Sequence, residues 1–229
     1  MEFIDLSREL HHRAPSLPNH PPQLMTVWID HDVEEQAGDV STSFKMLTLA
    51  IGDHSGTHVD APAHFDARPE ALSIDKVPLE RFYTEAFCID LSHLDLKQAA
   101  TADEVRAAVK ATDQTIKQGD TLLIYMATND RLFGRPEYLT DFPGLSPEAV
   151  AWLADQGIGM FGVEAVSPAP TGALNYRAHQ VCAERGITHM ECLFNLDKLI
   201  GRGRFRFAGF PLRIRGGTGS PIRAVAIFE

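Results

Sequence analysis

The rhythm of apolar and polar positions changes near residue 95. Before it, "FIDLS" (3–7), "MTVWIDH" (25–31), "FKMLTLAI" (44–51) and "EAFCIDLS" (85–92) are short apolar or alternating runs rich in β-formers, the pattern of strands. Between the first two lies "HHRAPSLPNHPPQ" (11–23), whose four prolines oppose both a helix and a central strand, so it predicts an extended surface loop. After residue 100 helices and strands alternate. Thr101 and Glu104 form a capping box for a helix in "ADEVRAAVKA". Gly119-Asp120 leads into a buried-type strand, "TLLIYMA" (121–127). Ser146 and Pro147 open a helix in "PEAVAWLADQ", and Gly157 closes it. "GMFGVEA" (159–165) predicts a strand, "NYRAHQVCAER" (175–185) a helix stopped by Gly186, and "ITHMECLF" (187–194) and "PIRAVAIF" (221–228) two further strands. Helices between buried strands imply βαβ crossovers, hence an α/β fold with some parallel pairing. No linker divides residues 1–229, which read as a single domain.

Composition narrows the function classes. A net charge of −10 repels nucleic acid and anionic membrane surfaces, so neither is an expected partner. Cys88, Cys182 and Cys192 lack CxxC spacing and argue for a reducing compartment, as small buried hydrophobes. No basic stretch precedes an apolar one near Met1, and no apolar run approaches about 18 residues. The expectation is a cytoplasmic protein acting on a small molecule. No G-x-S-x-G serine elbow occurs. "GGTGSP" (216–221) lacks the lysine of a phosphate loop and reads as a tight turn before the last strand.

The chemistry concentrates in "IGDHSGTHVDAPAHF" (51–65), which holds three of the chain's 10 histidines. Gly56, Thr57, Val59 and Pro62 oppose a helix there. In an extended chain His54, His58 and Asp60 fall on one face, with Gly56 leaving room between the imidazoles. Two imidazoles and a carboxylate are the ligand set of a catalytic zinc or a related ion with an open position for water. Pro62 should bend the strand and swing His64 off the row, leaving it free to act as a base. A polar structural network is the competing reading, and evenly spaced histidines around an aspartate argue against it. A ligand from elsewhere should complete the site. His179 in its helix, and His189 with Glu191 on one strand face, are both candidates, and spacing alone does not choose between the two histidines.

"HSGTHVDAPAHF" resembles the H-x-G-T-H-x-D-x-P-x-H signature of the metal-dependent cyclase family, which includes kynurenine formamidases, isatin hydrolases and some lactone hydrolases. The resemblance extends to "GDTLLIYMA", "FPGLSPEAVAWLADQGIGMFGVE", the His179 helix, "ITHMECLFNLDKL" and "FPLRIRGGTGSPIRAVAI", most of the chain. It implies a swivelling β/β/α domain with a mixed sheet, assembled as a homodimer or homotetramer. It further implies that His54, His58, Asp60, His179 and Glu191 bind one or two divalent ions, zinc first and manganese next, with Asp60 able to bridge them. His64 would be the catalytic acid/base.

Departures fall where substrate would be selected. Leu17 stands where family formamidases carry a tryptophan, leaving Leu17 and the aromatic Phe65 to contact substrate. Glu164 replaces an aspartate, and "YMATND" replaces a threonine-glycine. The expected activity is hydrolysis of an amide or cyclic amide by water activated on the ion. Lactone hydrolysis and a non-catalytic metal-binding role are the alternatives, and the retained His64 speaks against the last. With Leu17 offering no aromatic stack, N-formylkynurenine is expected to be a poor substrate beside smaller amides or esters.

Overall fold

Alternation within the apolar runs decides which face of the sheet each side chain takes. The structure, a computed structural model, describes residues 1–229. Its strands are β1 (Glu2–Asp5), β2 (Leu24–Ile29), β3 (Glu34–Ala37), β4 (Val40–Ser43), β5 (Met46–Ala50), β6 (His58–Asp60), β7 (Tyr83–Asp90), β8 (Ala99–Ala100), β9 (Thr121–Tyr125), β10 (Gly144–Leu145), β11 (Met160–Val163), β12 (Thr188–Glu191), β13 (Phe205–Ala208), β14 (Gly219–Pro221) and β15 (Val225–Phe228). The helices are α1 (Ala102–Ala111), α2 (Thr128–Leu132), α3 (Pro147–Asp155) and α4 (Ala173–Arg185).

Nine strands form one mixed sheet in the order β1-β15-β13-β7-β9-β11-β12-β6-β14. The centre, β7-β9-β11-β12, is parallel, and both flanks are antiparallel. The parallel strands are buried on both faces, which explains their continuous apolar runs. Phe87, Ile89, Leu122, Ile124, Phe161 and Val163 face one core, beneath α1, α3 and α4. Cys88, Leu123, Met160 and Met190 face a second core with Phe205 and Phe207.

Local capping explains where the helices begin and end. Both bonds of the Thr101–Glu104 box form, and Ser146 Oγ accepts from Ala149 N. Gly186 ends α4 at φ +63, a conformation that glycine takes without steric cost. The strands β2 and β5 pair only with each other, and a second hairpin, β3–β4, extends from their far end. This arm carries apolar side chains outward: Val27, Trp28, Leu47 and Leu49 are exposed. The β3–β4 hairpin has no counterpart in the sequence expectation.

One expectation is corrected. Gly219–Pro221 is not part of a turn. It is the edge strand β14, paired with β6, and the final strand begins only at Val225. A proline is tolerated there because an edge strand has a side that needs no donor.

Candidate metal centre

The register of three short strands builds the site. β6 lies between β12 and β14, with His58 opposite Glu191 and Asp60 opposite both His189 and Gly219. Directly opposed residues on one sheet face have Cβ atoms about 4.5–5.5 Å apart. Pairing β6 with β12 therefore brings two carboxylates and two imidazoles into one cluster. Helix α4 presents His179 from its buried face, alongside Ala178 and Cys182.

The extended row expected over residues 54–64 is shorter than that. Only His58–Asp60 is strand. Gly56 turns the chain at φ +62, and Pro62–His64 form one turn of 3₁₀ helix that takes His64 off the row. His54 reaches the cluster from the turn before the strand, with its Nδ1 2.7 Å from Asp60 Oδ1. Gly219 makes this possible: a Cβ there would lie 2.6 Å from the His54 ring.

Asp60 and Glu191 each divide their oxygens between two groups of ligands. Asp60 Oδ1 faces His54 and His58, at 2.7 and 3.3 Å. Asp60 Oδ2 faces His189 at 3.3 Å and His179 at 3.8 Å. Glu191 Oε1 lies 3.4 Å from His179 and 3.3 Å from His189, while Oε2 lies 3.3 Å from His58. Ligands about 2.0–2.2 Å from a tetrahedral ion are separated by about 3.3–3.6 Å along each edge, so most of these spacings suit an ion at the centre.

The other ring nitrogens are already engaged, as metal-ligating histidines require. His58 Nδ1 bonds the Gly56 carbonyl at 2.8 Å, and His179 Nδ1 bonds the Asn175 carbonyl at 2.9 Å. His54 Nε2 bonds Thr218 Oγ1 at 2.9 Å, which in turn donates to Asp53 at 3.1 Å. His58 Nε2 is buried between two carboxylates without hydrogen-bond geometry to either. The set fits a divalent cation.

Charge supports the same reading. Burial would raise the Asp60 pKa, but His189 and His54 outweigh it and hold the carboxyl well below its usual range. Burial and Asp60 would raise Glu191, and the close imidazoles of His179, His189 and His58 hold it well below. Burial opposes protonation of His58 and His179, yet the neighbouring carboxylates raise both. Two buried carboxylates with no lysine or arginine among them demand positive charge from elsewhere.

His64 is set apart. Its Nε2 lies 3.7 Å from Asp60 Oδ2, and its ring lies tilted at 33° against His54 with centroids 4.0 Å apart. Burial, with smaller contributions from His54 and His179, pushes its pKa down to about 4, so it is neutral at neutral pH. Phe65 stacks on His179 at 4.3 Å and lines a small recess with His64.

A cavity of about 710 Å³ opens in front of the cluster, a volume typical of small-molecule sites. His54, His58 and Glu191 form its floor, and the proline-rich loop, including Leu17 and His20, forms a wall. His64 and Phe65 do not line it. Glu164 lies away from the ligands. Its carboxylate accepts from the backbone N–H groups of Met126, Thr128 and Asn129, at 2.8, 3.1 and 3.3 Å.

Sequence reasoning left His179 and His189 as alternatives, and the structure brings both to the cluster. It missed Thr218 and Gly219, whose only signal was their place in a glycine-rich segment.

Comparisons with known proteins place the chain among relatives. The family model Cyclase matches residues 4–170. A kynurenine formamidase from Salinibacter ruber is 27% identical over 228 residues, covering 98% of this chain and 97% of that protein. The structure of an isatin hydrolase bound to the product analogue thioisatinate superposes with a TM-score of 0.84 at 26% identity, over 98% of this chain and 91% of that one. Isatin hydrolase A from Ralstonia solanacearum gives a TM-score of 0.81 at 27% identity, over 100% and 92%.

Proposed function

The chain belongs to the Cyclase family, and from that premise we propose that it is a metal-dependent hydrolase of amide or cyclic amide C–N bonds. The observation that carries the reading is the His54/His58/Asp60 group, whose His54 and His58 line a cavity of about 710 Å³. The formamidase and isatin hydrolase relatives, both named for cleaving such bonds, supply the bond type.

The two ligand groups suit two ions. His54, His58 and Asp60 would hold one ion with three ligands, the number of a catalytic site, and His54 and His58 line the cavity. Asp60, His179, His189 and Glu191 supply four protein ligands, the number of a closed site. Imidazole and carboxylate donors favour zinc, with manganese next. A bound divalent ion lowers the pKa of water toward neutrality and polarises a carbonyl.

The chain's own residues do the rest. The Thr218–Asp53 pair fixes the His54 ring. Leu17 and its loop wall the cavity beside the ligands. His64, neutral and beside Asp60, takes the proton from water and returns it to the leaving nitrogen. A second reading assigns this role to His20, because His20 lines the cavity and His64 does not. Leu17 offers less stacking than an aromatic residue, so small amides or lactams are preferred to N-formylkynurenine.

The arm supports a homodimer. Val27, Leu47 and Leu49 on the paired strands, with Trp28 at the adjacent bulge, are exposed apolar side chains that an isolated monomer has no use for. Three free, buried cysteines fit a cytoplasmic setting. No helix is long and apolar enough to cross a membrane.

The test is acid release by the zinc-loaded protein from formamides, lactams and lactones, with N-formylkynurenine included. His64→Ala should keep its metal and lose about 10²–10⁴-fold in turnover, the usual contribution of a positioned base. If His20→Ala shows that loss and His64→Ala does not, the base is His20. Exclusive turnover of lactones would refute the C–N assignment.

A further inference from the structure

The cavity has a polar feature that the hydrolytic machinery does not use. Arg8 lines it, on the same side as the loop that follows. Its guanidinium sits over two aromatic rings, 4.7 Å from the centroid of Phe133 and 4.6 Å from that of Tyr138. These rings meet edge to face at 89°, so they brace the guanidinium from two directions. The backbone beneath it is equally fixed. Arg8 N donates to Thr57 Oγ1 at 2.8 Å, and that hydroxyl donates to the Cys192 carbonyl at 2.6 Å. Thr57 is the neighbour of the ligand His58, which ties the placement of Arg8 to the metal strand.

Arg8 nevertheless has no acceptor. Its guanidinium forms no hydrogen bond and no ion pair within the chain, even though Glu9 lines the same cavity. Arg13, Arg135, Arg213 and Arg215 are also unpaired, but all four are exposed to solvent, whereas Arg8 is half-buried. A guanidinium carries five N–H donors in a planar fork suited to a carboxylate. Half-buried, braced by two rings and facing an open cavity, its donors have a partner only when a ligand supplies one.

We propose that Arg8 is an anion-recognition residue and that the preferred substrates carry a carboxylate apart from the bond that is cut. The inference rests on the amide-hydrolase reading for the identity of the substrate, but not for the existence of the anion site. The aromatic braces favour the planar carboxylate of an aryl or unsaturated acid, which can pair with the fork while its body lies along Phe133. Phe133 is itself half-exposed at 48% and lines the cavity.

The experiment compares two substrates that differ by one carboxylate, formanilide and 2-formamidobenzoate, with zinc-loaded wild type, Arg8→Gln and Arg8→Lys. Equilibrium binding of 2-aminobenzoate and of aniline is measured alongside. The wild type should prefer the anionic substrate in kcat/KM, and Arg8→Gln should lose about 10–100-fold on it, the size of a lost charge-assisted pair, with formanilide changed less than threefold. Arg8→Lys should be intermediate, since it keeps the charge and loses the fork. Binding of 2-aminobenzoate should weaken by a similar factor in Arg8→Gln, with zinc content unchanged.

The proposal is overturned if the wild type shows no preference for the anion. It is equally overturned if the preference survives in Arg8→Gln, which would mean that the carboxylate rides on the metal. Equal weakening toward both substrates would make Arg8 a packing residue. If neither amide is turned over but 2-aminobenzoate binding depends on Arg8, the hydrolase reading fails and the anion site stands.

Discussion

Replacing Gly219 by alanine adds one methyl group at the point where β14 backs the His54 ring. Gly219 does not occupy the left-handed region, so alanine fits the backbone and the effect is purely one of contact. The added Cβ would lie 2.6 Å from His54 Cε1, 2.9 Å from Nδ1 and 3.0 Å from Nε2, where ordinary contact starts at 3.4 Å. The ring must therefore retreat by about 0.8 Å. It has little freedom to do so. It is held 2.7 Å from Asp60 and 2.9 Å from Thr218, and the His64 ring packs against it with centroids 4.0 Å apart. Metal–ligand distances tolerate about 0.2 Å, and a misplacement of about 1 Å at a reacting centre costs about 10²-fold in rate. Gly219→Ala should lower kcat/KM about 100-fold and lower bound metal per chain, while overpacking costs about 1–3 kcal/mol in urea unfolding of the metal-free protein. Elemental analysis, steady-state kinetics and that unfolding curve separate the site from the fold. A variant with full metal and kcat/KM within threefold of wild type would show that His54 is not held by this contact.

His189→Leu should reduce the bound metal from two equivalents to one, as read by elemental analysis after dialysis. A wild type that binds a single equivalent, or a variant that keeps two, contradicts the four-ligand group. Glu164 gives a pH signature: burial raises its pKa from 4.5 to about 7 against the pull of three backbone N–H groups. The native state then holds a proton that the unfolded state releases, so this contribution is complete below pH 4.5 and is lost as pH rises through 7, about 3 kcal/mol in all. Subtracting the urea stability of Glu164→Gln from wild type should expose that slope, and parallel curves from pH 4.5 to 7.5 would refute it. Trp28→Asp with Leu47→Asp should turn a dimer into a monomer by light scattering, and a wild type that is already monomeric at micromolar concentration rules out the arm as an interface.

What could be read from the sequence was what is decided locally. The α1 and α3 starts and the α4 stop were legible because Thr101, Ser146 and Gly186 act within one turn of their own helices. The central strands were legible because burial on both faces leaves an apolar run. His58 and Asp60 share a face because they are two apart in a strand, a local fact. His54 joins them through a turn at Gly56, which period-two reasoning does not describe. The choice between His179 and His189 was undecidable because each answers to a different element, one to α4 and one to β12, and only their packing shows that both arrive. The strand character of Gly219–Pro221 was invisible for a similar reason: glycine and proline are poor strand formers, and the pairing with β6 overrides that propensity. The β3–β4 hairpin escaped because its residues are exposed and carry no apolar alternation.

The three-residue strand β6 has a consequence for how the molecule is made. Its neighbours on both sides, β12 and β14, come from the far end of the chain. During synthesis at about 5–20 residues per second, His54 to Asp60 emerge early and wait for partners translated many seconds later. The parallel strands and their crossover helices can form in the meantime, since each needs only its own neighbours in sequence. Closing the long loop from β6 to β12 costs entropy that local contacts do not repay. Asp60 and Glu191 must also be driven together, and each carries a negative charge. An ion is therefore captured by a fold that is nearly complete, as the final fastening between its two ends. In a metal-starved cell, the species that accumulates should keep its central sheet and its helices, with only the β6–β14 edge unlatched.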